Sequence, residues 1–123
     1  MNTPVSFEIA KLLKEKGFDK PVNNYTSERD GDYFSNEKQT ISYRNYNEIS
    51  GSYSRPTISE VVMWIYETHN IWISIDRYID PEQSPDYRYG SCIYYDDDHY
   101  YGRGNENPTE AYEAAIFYVL NLI

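Results

Sequence analysis

The chain has 123 residues, among them 20 Asp or Glu and 11 Lys or Arg, for a formal charge of −9 at pH 7. This length suits one hydrophobic core, so a single domain over residues 1–123 is expected. A field of this sign repels a phosphate backbone and argues against nucleic acid as a direct ligand.

With 15 tyrosines and 2 tryptophans, large apolar area is available at 40% hydrophobic content. Cys92 is the only cysteine, which excludes an internal disulfide or a thiolate metal cluster within the chain. Met1 to Phe18 lacks the basic-then-apolar pattern of a leader, and no apolar run approaches the roughly 20 residues that span a bilayer. A cytoplasmic protein without membrane association is expected.

From Val5 to Lys16, Val5, Ile9, Leu12 and Leu13 recur at helical spacing, with Glu8, Lys11, Glu15 and Lys16 mostly opposite. An amphipathic helix follows, with Thr3 as its N-cap, Pro4 at its first position and Gly17 ending it so that Phe18 packs back. Residues 19–32 read as a polar loop on the strength of Pro21, Asn23-Asn24 and Asp30-Gly31. Tyr33 to Asn47 alternates weakly through Thr40, Ile41, Tyr43 and Tyr46, which predicts one or two strands at a sheet edge.

The strongest local signal is Pro56-Thr57 with Glu60 three residues on. This spacing makes a capping box, in which hydroxyl and carboxylate each accept the other residue's backbone N–H. The helix that it starts carries Ile58, Val61, Val62 and Ile65 on one stripe, widened by Met63 and Trp64. After His69 and Asn70 the period changes to that of a strand, with Ile71, Ile73 and Ile75 on one face and Trp72, Ser74 and Asp76 on the other.

Residues 80–86, with two X-Pro pairs, read as a loop. Asp86 to Tyr95 reads as a second strand, pairing antiparallel with the first and placing Tyr87, Tyr89, Ser91 and Ile93 on one face. Asp96-Asp97-Asp98 is a charged turn, and Tyr100-Tyr101 a short third strand that Gly102 and Gly104 break. Asn107 caps the last helix, with Pro108 as its first residue, and Ala111, Ala114, Ala115, Tyr118 and Leu122 on one face. This order implies an α+β fold: a two-layer antiparallel sheet of three to five strands packed against two or three helices, with the helices from Thr57 and Pro108 on one side and the first helix at an edge.

Two segments, Pro56-Thr57 with Met63 to Ile73 and Asn107 to Ala115, resemble a family of short uncharacterised proteins encoded by gut anaerobes and their phages or mobile elements. The N-terminal Ala10 to Phe18 stretch is similar as well, whereas the Tyr- and Asp-rich middle is not covered. The resemblance implies a phage or mobile-element context, in which products often act by binding a host protein. It assigns no activity, so no catalytic or binding residue is carried over.

Asp96, Asp97, Asp98 and His99 offer four candidate metal ligands, but alternate side chains of an extended segment diverge, and no EF-hand glycine is present. A solvated turn is the favoured reading, with no metal and no cofactor. His69 could serve as a general base, yet its place at a helix C-terminus is explained by the helix dipole. Cys92 lacks a histidine partner in the sequence and reads as a small buried hydrophobe.

With no catalytic constellation, a non-enzymatic module that binds another protein is expected, using Trp72, Tyr94, Tyr95, Asp96, Asp97 and Asp98. Trp72 lies on the outer sheet surface if the isoleucines enter the core, and is itself core if a helix covers that face too. The alternatives are a nucleic-acid-mimicking inhibitor of a basic protein, and a small-molecule binder or minor enzyme, which needs a deep pocket with convergent polar groups. The sequence leaves the oligomeric state open.

Overall fold

The computed structural model describes residues 3–28, 33–35, 43–79 and 87–123. The elements are α1 (Phe7–Glu15), β1 (Asn24–Ser27), β2 (Tyr33–Ser35), a 3-10 turn (Tyr46–Glu48), β3 (Ser52–Ser54), α2 (Ile58–His69), β4 (Trp72–Ile79), β5 (Tyr87–Tyr95), β6 (Asp98–Asn105) and α3 (Pro108–Leu122). The fold is α+β with antiparallel pairing, and the strands divide between two three-stranded sheets, ordered β2-β1-β3 and β4-β5-β6. The chain separates into two compact units, Met1–Glu60 and Val61–Ile123. The expected loop at 80–86 lies outside the described residues, as do Thr40 and Ile41.

In the first unit, α1 is capped by Ser6, whose Oγ accepts the Ile9 N–H at 3.3 Å, and not by Thr3. The Thr3 carbonyl instead accepts the Ile58 N–H, and the Val5 N–H donates to the Pro56 carbonyl, each at 2.9 Å. Pro4 thus bridges Thr57 in extended conformation, and the helix starts one turn later than the apolar pattern suggests. At the other end Gly17 has φ +89°, and Phe18 donates back to the Leu13 carbonyl at 2.9 Å while its side chain is buried. These bonds satisfy carbonyls that the helix leaves open.

The segment expected as a loop from residue 19 contains β1, the central strand of the first sheet. Its inward positions are Asn24 and Thr26, so no hydrophobic alternation marks it. Buried Thr26 and Ser54 find their partners outside their own strands. The Thr26 hydroxyl accepts from Arg55 Nη1 at 2.8 Å, Ser54 Oγ accepts the Tyr46 N–H at 3.0 Å, and Asn47 links the Ser54 N–H to the Phe18 carbonyl at 2.9 Å each way. Tyr25 stacks between Phe34 and Tyr46 at centroid distances of 4.7 and 4.2 Å. Tyr33–Ser35, at the start of the segment expected to hold one or two strands, is an edge strand, whereas Tyr46, from the alternating stretch, opens a 3-10 turn, Tyr46–Glu48, headed by the Asn45 side chain.

The capping box forms as expected: the Thr57 N–H donates to Glu60 Oε1 at 2.9 Å, and the Glu60 N–H to Thr57 Oγ1 at 3.3 Å. Along α2, Ile58, Val61, Val62, Trp64 and Ile65 are buried, whereas Met63 faces outward. Asn70, at φ +55°, ends the helix while its N–H donates to the Tyr66 carbonyl at 2.9 Å.

In the second unit, β4 and β5 pair over eight positions, from Trp72↔Tyr94 to Ile79↔Tyr87, with Ile73 opposite Ile93. β6 runs to Asn105, longer than expected, because Gly102 and Gly104 lie within the pairing instead of ending it. A Cβ on Gly90 would come within 2.7 Å of the Gly102 carbonyl oxygen, and Gly104 has φ +90° where the register shifts between Tyr89 and Ser91. The glycines therefore serve a bulge that keeps the two strands together.

α3 is capped by Asn107, whose Oδ1 accepts the Glu110 N–H at 2.9 Å, with Pro108 as its first residue. Its buried stripe is Ala111, Ala115, Ile116, Val119 and Leu120, while Ala114 and Leu122 are exposed. The stripe is rotated away from the alanine-centred face that was expected, toward Ile116 and Leu120, which carry more apolar area. α3 packs on β4, β5 and β6, and Tyr118 stacks on Tyr100 at 4.1 Å.

Two expectations follow, both read by urea denaturation monitored by circular dichroism. Thr57→Ala should cost about 1 kcal/mol through loss of the cap. Gly104→Ala should cost roughly 1–2 kcal/mol, because an added Cβ meets no neighbour but its backbone must stay left-handed.

Candidate functional site

Side chains alternate across a strand, so the β4–β5–β6 register sorts the residues of this sheet onto two faces. Ile71, Ile73, Ser91, Ile93 and Tyr100 point toward α3. The opposite face presents Trp72, Tyr94 and His99 as one row and Ser74, Cys92 and Tyr101 as the next. Trp72, Tyr94 and Tyr101 are 41%, 47% and 59% exposed, so this face is open to solvent.

Neighbouring rings hold this patch. Tyr66 of α2 meets Trp72 edge-on at 5.4 Å, and His99 lies 4.9 Å from Tyr101 and 6.4 Å from Tyr94. Cys92 is only 1% exposed beneath them. The Tyr94 hydroxyl is pushed up from its ordinary pKa, first by its hydrogen bond with the Cys92 thiol, while a hydrogen bond with Ser74 opposes the shift. At the far end Arg103 lies over the Tyr78 ring at 5.4 Å, and Asp76, Gly90, Tyr101 and Arg103 border a hollow of about 130 Å³.

The β5–β6 turn carries Asp96, Asp97 and Asp98, all exposed, with Asp96 at φ +50°. The Asp98 carboxylate accepts the His99 N–H at 2.8 Å. Of the residues expected to form the site, Trp72 and Tyr94 come together as cross-strand partners, while the three aspartates occupy the adjoining β5–β6 turn, with Asp98 opposite Tyr95. Tyr95 does not join them. It points to the α3 side, half-buried, where burial and then its hydrogen-bonded neighbour Tyr118 raise its pKa. His99, Tyr101 and Tyr66 belong to the patch, and only the strand register and the α2–β4 contact reveal them.

Charge is divided unevenly between the units. Residues 61–123 hold eleven acidic and three basic side chains, net −8, whereas residues 1–60 hold nine and eight, net −1. The unit that bears the aromatic face therefore carries nearly all of the negative charge.

Elsewhere, an open groove of about 410 Å³ is bordered by Tyr100, Ala114, Phe117, Tyr118, Asn121 and Leu122, without a carboxylate, imidazole or thiol. His69 closes α2 with Nε2 buried and without a hydrogen-bond partner among the described residues, its ring edge-on to Trp64 at 5.4 Å. Among the described residues no three His, Cys, Asp or Glu side chains gather to hold a metal ion, and no helix is long and apolar enough to cross a membrane.

Acrylamide should quench Trp72 and spare Trp64, which is 4% exposed, so Trp72→Phe should remove the quenchable emission. Cys92 should resist a thiol reagent in the native protein and react fully in denaturant. Comparison of the chain with models of protein families, with curated proteins and with solved structures yields no match in any of the three.

Proposed function

We propose that this chain is a non-enzymatic protein-binding module whose docking surface is the open face of the second sheet, with Trp72, Tyr94, His99 and Tyr101 at its centre and Asp96 to Asp98 at its end. The observation that carries the reading is the exposed aromatic row opposite the face packed by α3. Tyr and Trp supply rigid amphipathic contact area at low entropic cost and dominate interface energetics. Their hydroxyl and indole N–H groups also supply directional bonds that a purely aliphatic patch lacks.

The resemblance of the α2–β4 and α3 segments to phage and mobile-element proteins supports a partner in a host cell. A cytoplasmic setting suits the free thiol of Cys92. The net charge of −8 on residues 61–123 favours one second reading, a nucleic-acid mimic that blocks a basic channel.

Affinity capture from lysate of the source organism separates the two. The docking reading expects a partner that the wild type retains and that Trp72→Ala loses, with Asp96, Asp97 and Asp98 replaced by Asn weakening capture less. A mimic expects the reverse order, together with displacement of the partner by duplex DNA. Recovery of the same partners by both variants would remove this face as the site.

A further inference from the structure

We infer that the open face recognises an arginine-bearing basic segment of its partner, with the guanidinium lying on the ring patch of Trp72, Tyr94, His99 and Tyr101 beside the Asp96–Asp98 turn. The inference rests on the reading of this face as a docking surface and names the chemistry of what docks there.

The first support is how the chain treats its own rings. Lys11 lies over Phe7 at 4.4 Å, Lys14 over Tyr53 at 4.8 Å, Arg55 over Tyr33 at 5.1 Å and Arg103 over Tyr78 at 5.4 Å. Among the described residues, no cation lies over Trp72, Tyr94 or Tyr101, although these are exposed and Trp is the ring that attracts cations best. Tyr78 shows that a ring of this same face takes a guanidinium.

Charge complementarity is the second. Residues 61–123 contain no lysine, and of their three arginines Arg77 alternates to the α3 side, Arg88 pairs with Tyr78, and Arg103, which borders the same hollow as Tyr101, lies over the Tyr78 ring. The exposed Asp96–Asp98 turn instead follows Tyr94 and Tyr95 and precedes His99, with Asp98 paired opposite Tyr95, and Asp76 shares the face of the row. A cation drawn by the net charge of this unit meets rings and carboxylates in one place.

Chemistry selects arginine over lysine. A guanidinium is planar and weakly hydrated, so it can stack on a ring face while its N–H groups donate in plane to carboxylates. An ammonium is a compact, strongly hydrated point charge that keeps more of its water. Ring contacts from Tyr66 to Trp72 and from Tyr101 to His99 hold the platform before binding, which reduces the entropy lost on docking.

The test titrates the full chain with octa-arginine, octa-lysine and octa-glutamate peptides at low and raised salt, by calorimetry and by Trp emission. Octa-arginine is expected to bind about tenfold more tightly than octa-lysine, and Trp72→Ala to remove most of that preference. Tyr101→Ala, at a ring that is 59% exposed, should lower octa-arginine affinity severalfold with the fold intact by circular dichroism. Replacing the three turn aspartates with Asn should weaken both basic peptides and flatten the salt dependence.

Equal binding of the two basic peptides, unchanged by Trp72→Ala and Tyr101→Ala, would mean charge alone and overturn the inference. So would absence of binding by octa-arginine while capture of the partner still depends on Trp72. That second result leaves the docking reading standing with a partner of other chemistry, whereas capture independent of Trp72 removes both.

Discussion

The cross-strand pair Ile73↔Ile93, covered by α3, decides where every other side chain of the second sheet points. Each isoleucine contributes roughly 1.5–3 kcal/mol when fully buried. A slip of one residue would send both to solvent and draw Trp72 and Tyr94 beneath the helix. Buried Ile116, Val119 and Leu120 of α3 complete the apolar layer. With that face fixed, Trp72, Tyr94, His99 and Tyr101 are obliged to emerge on the opposite side, so the aromatic patch is a consequence of the core as much as a feature of its own.

The first unit is built on a different principle. Asn24, Thr26, Ser52 and Ser54 are buried there, so directional bonds carry part of what apolar area carries in the second unit. Lys14 Nζ donates to the carbonyls of Ile49 and Ser52 at 3.3 and 2.8 Å, and Arg55 Nε to the Val5 carbonyl at 2.7 Å. These two cations are thereby engaged in holding the chain together. The second unit has few cations to engage, and among its described residues all carboxylates but the half-buried Glu113 are exposed.

This contrast explains what could be read from the residues alone. The capping box at Thr57 and Glu60, the Ile-x-Ile alternation and the Asn107-Pro108 helix start are local signals, and each forms as its spacing implies. β1 could not be read, because Thr26 is tolerated inside only through Arg55, 29 residues away. The α1 cap was ambiguous for the same reason: Thr3 and Ser6 both offer a hydroxyl, and distant pairing with Pro56 and Ile58 decides between them. Gly102 and Gly104 imply a short β6, since glycine usually ends a strand, whereas here Gly90 and Gly102 permit close approach. As for the candidate site, Trp72 and Tyr94 were legible from composition. Tyr95 was a misplacement that period-two alternation corrects, and His99 and Tyr101 required the strand register.

In the function proposed for this chain, recognition belongs to the Trp72 face and packing to the α3 face. The indole N–H resonances of the two tryptophans, followed by isotope-edited NMR as octa-arginine is added, test it most directly. The Trp72 resonance should shift progressively while that of Trp64 stays in place, with perturbed amides confined to the open face and the β5–β6 turn. A stationary Trp72 resonance, with shifts gathered instead at Phe117 and Leu122 along α3, would contradict it.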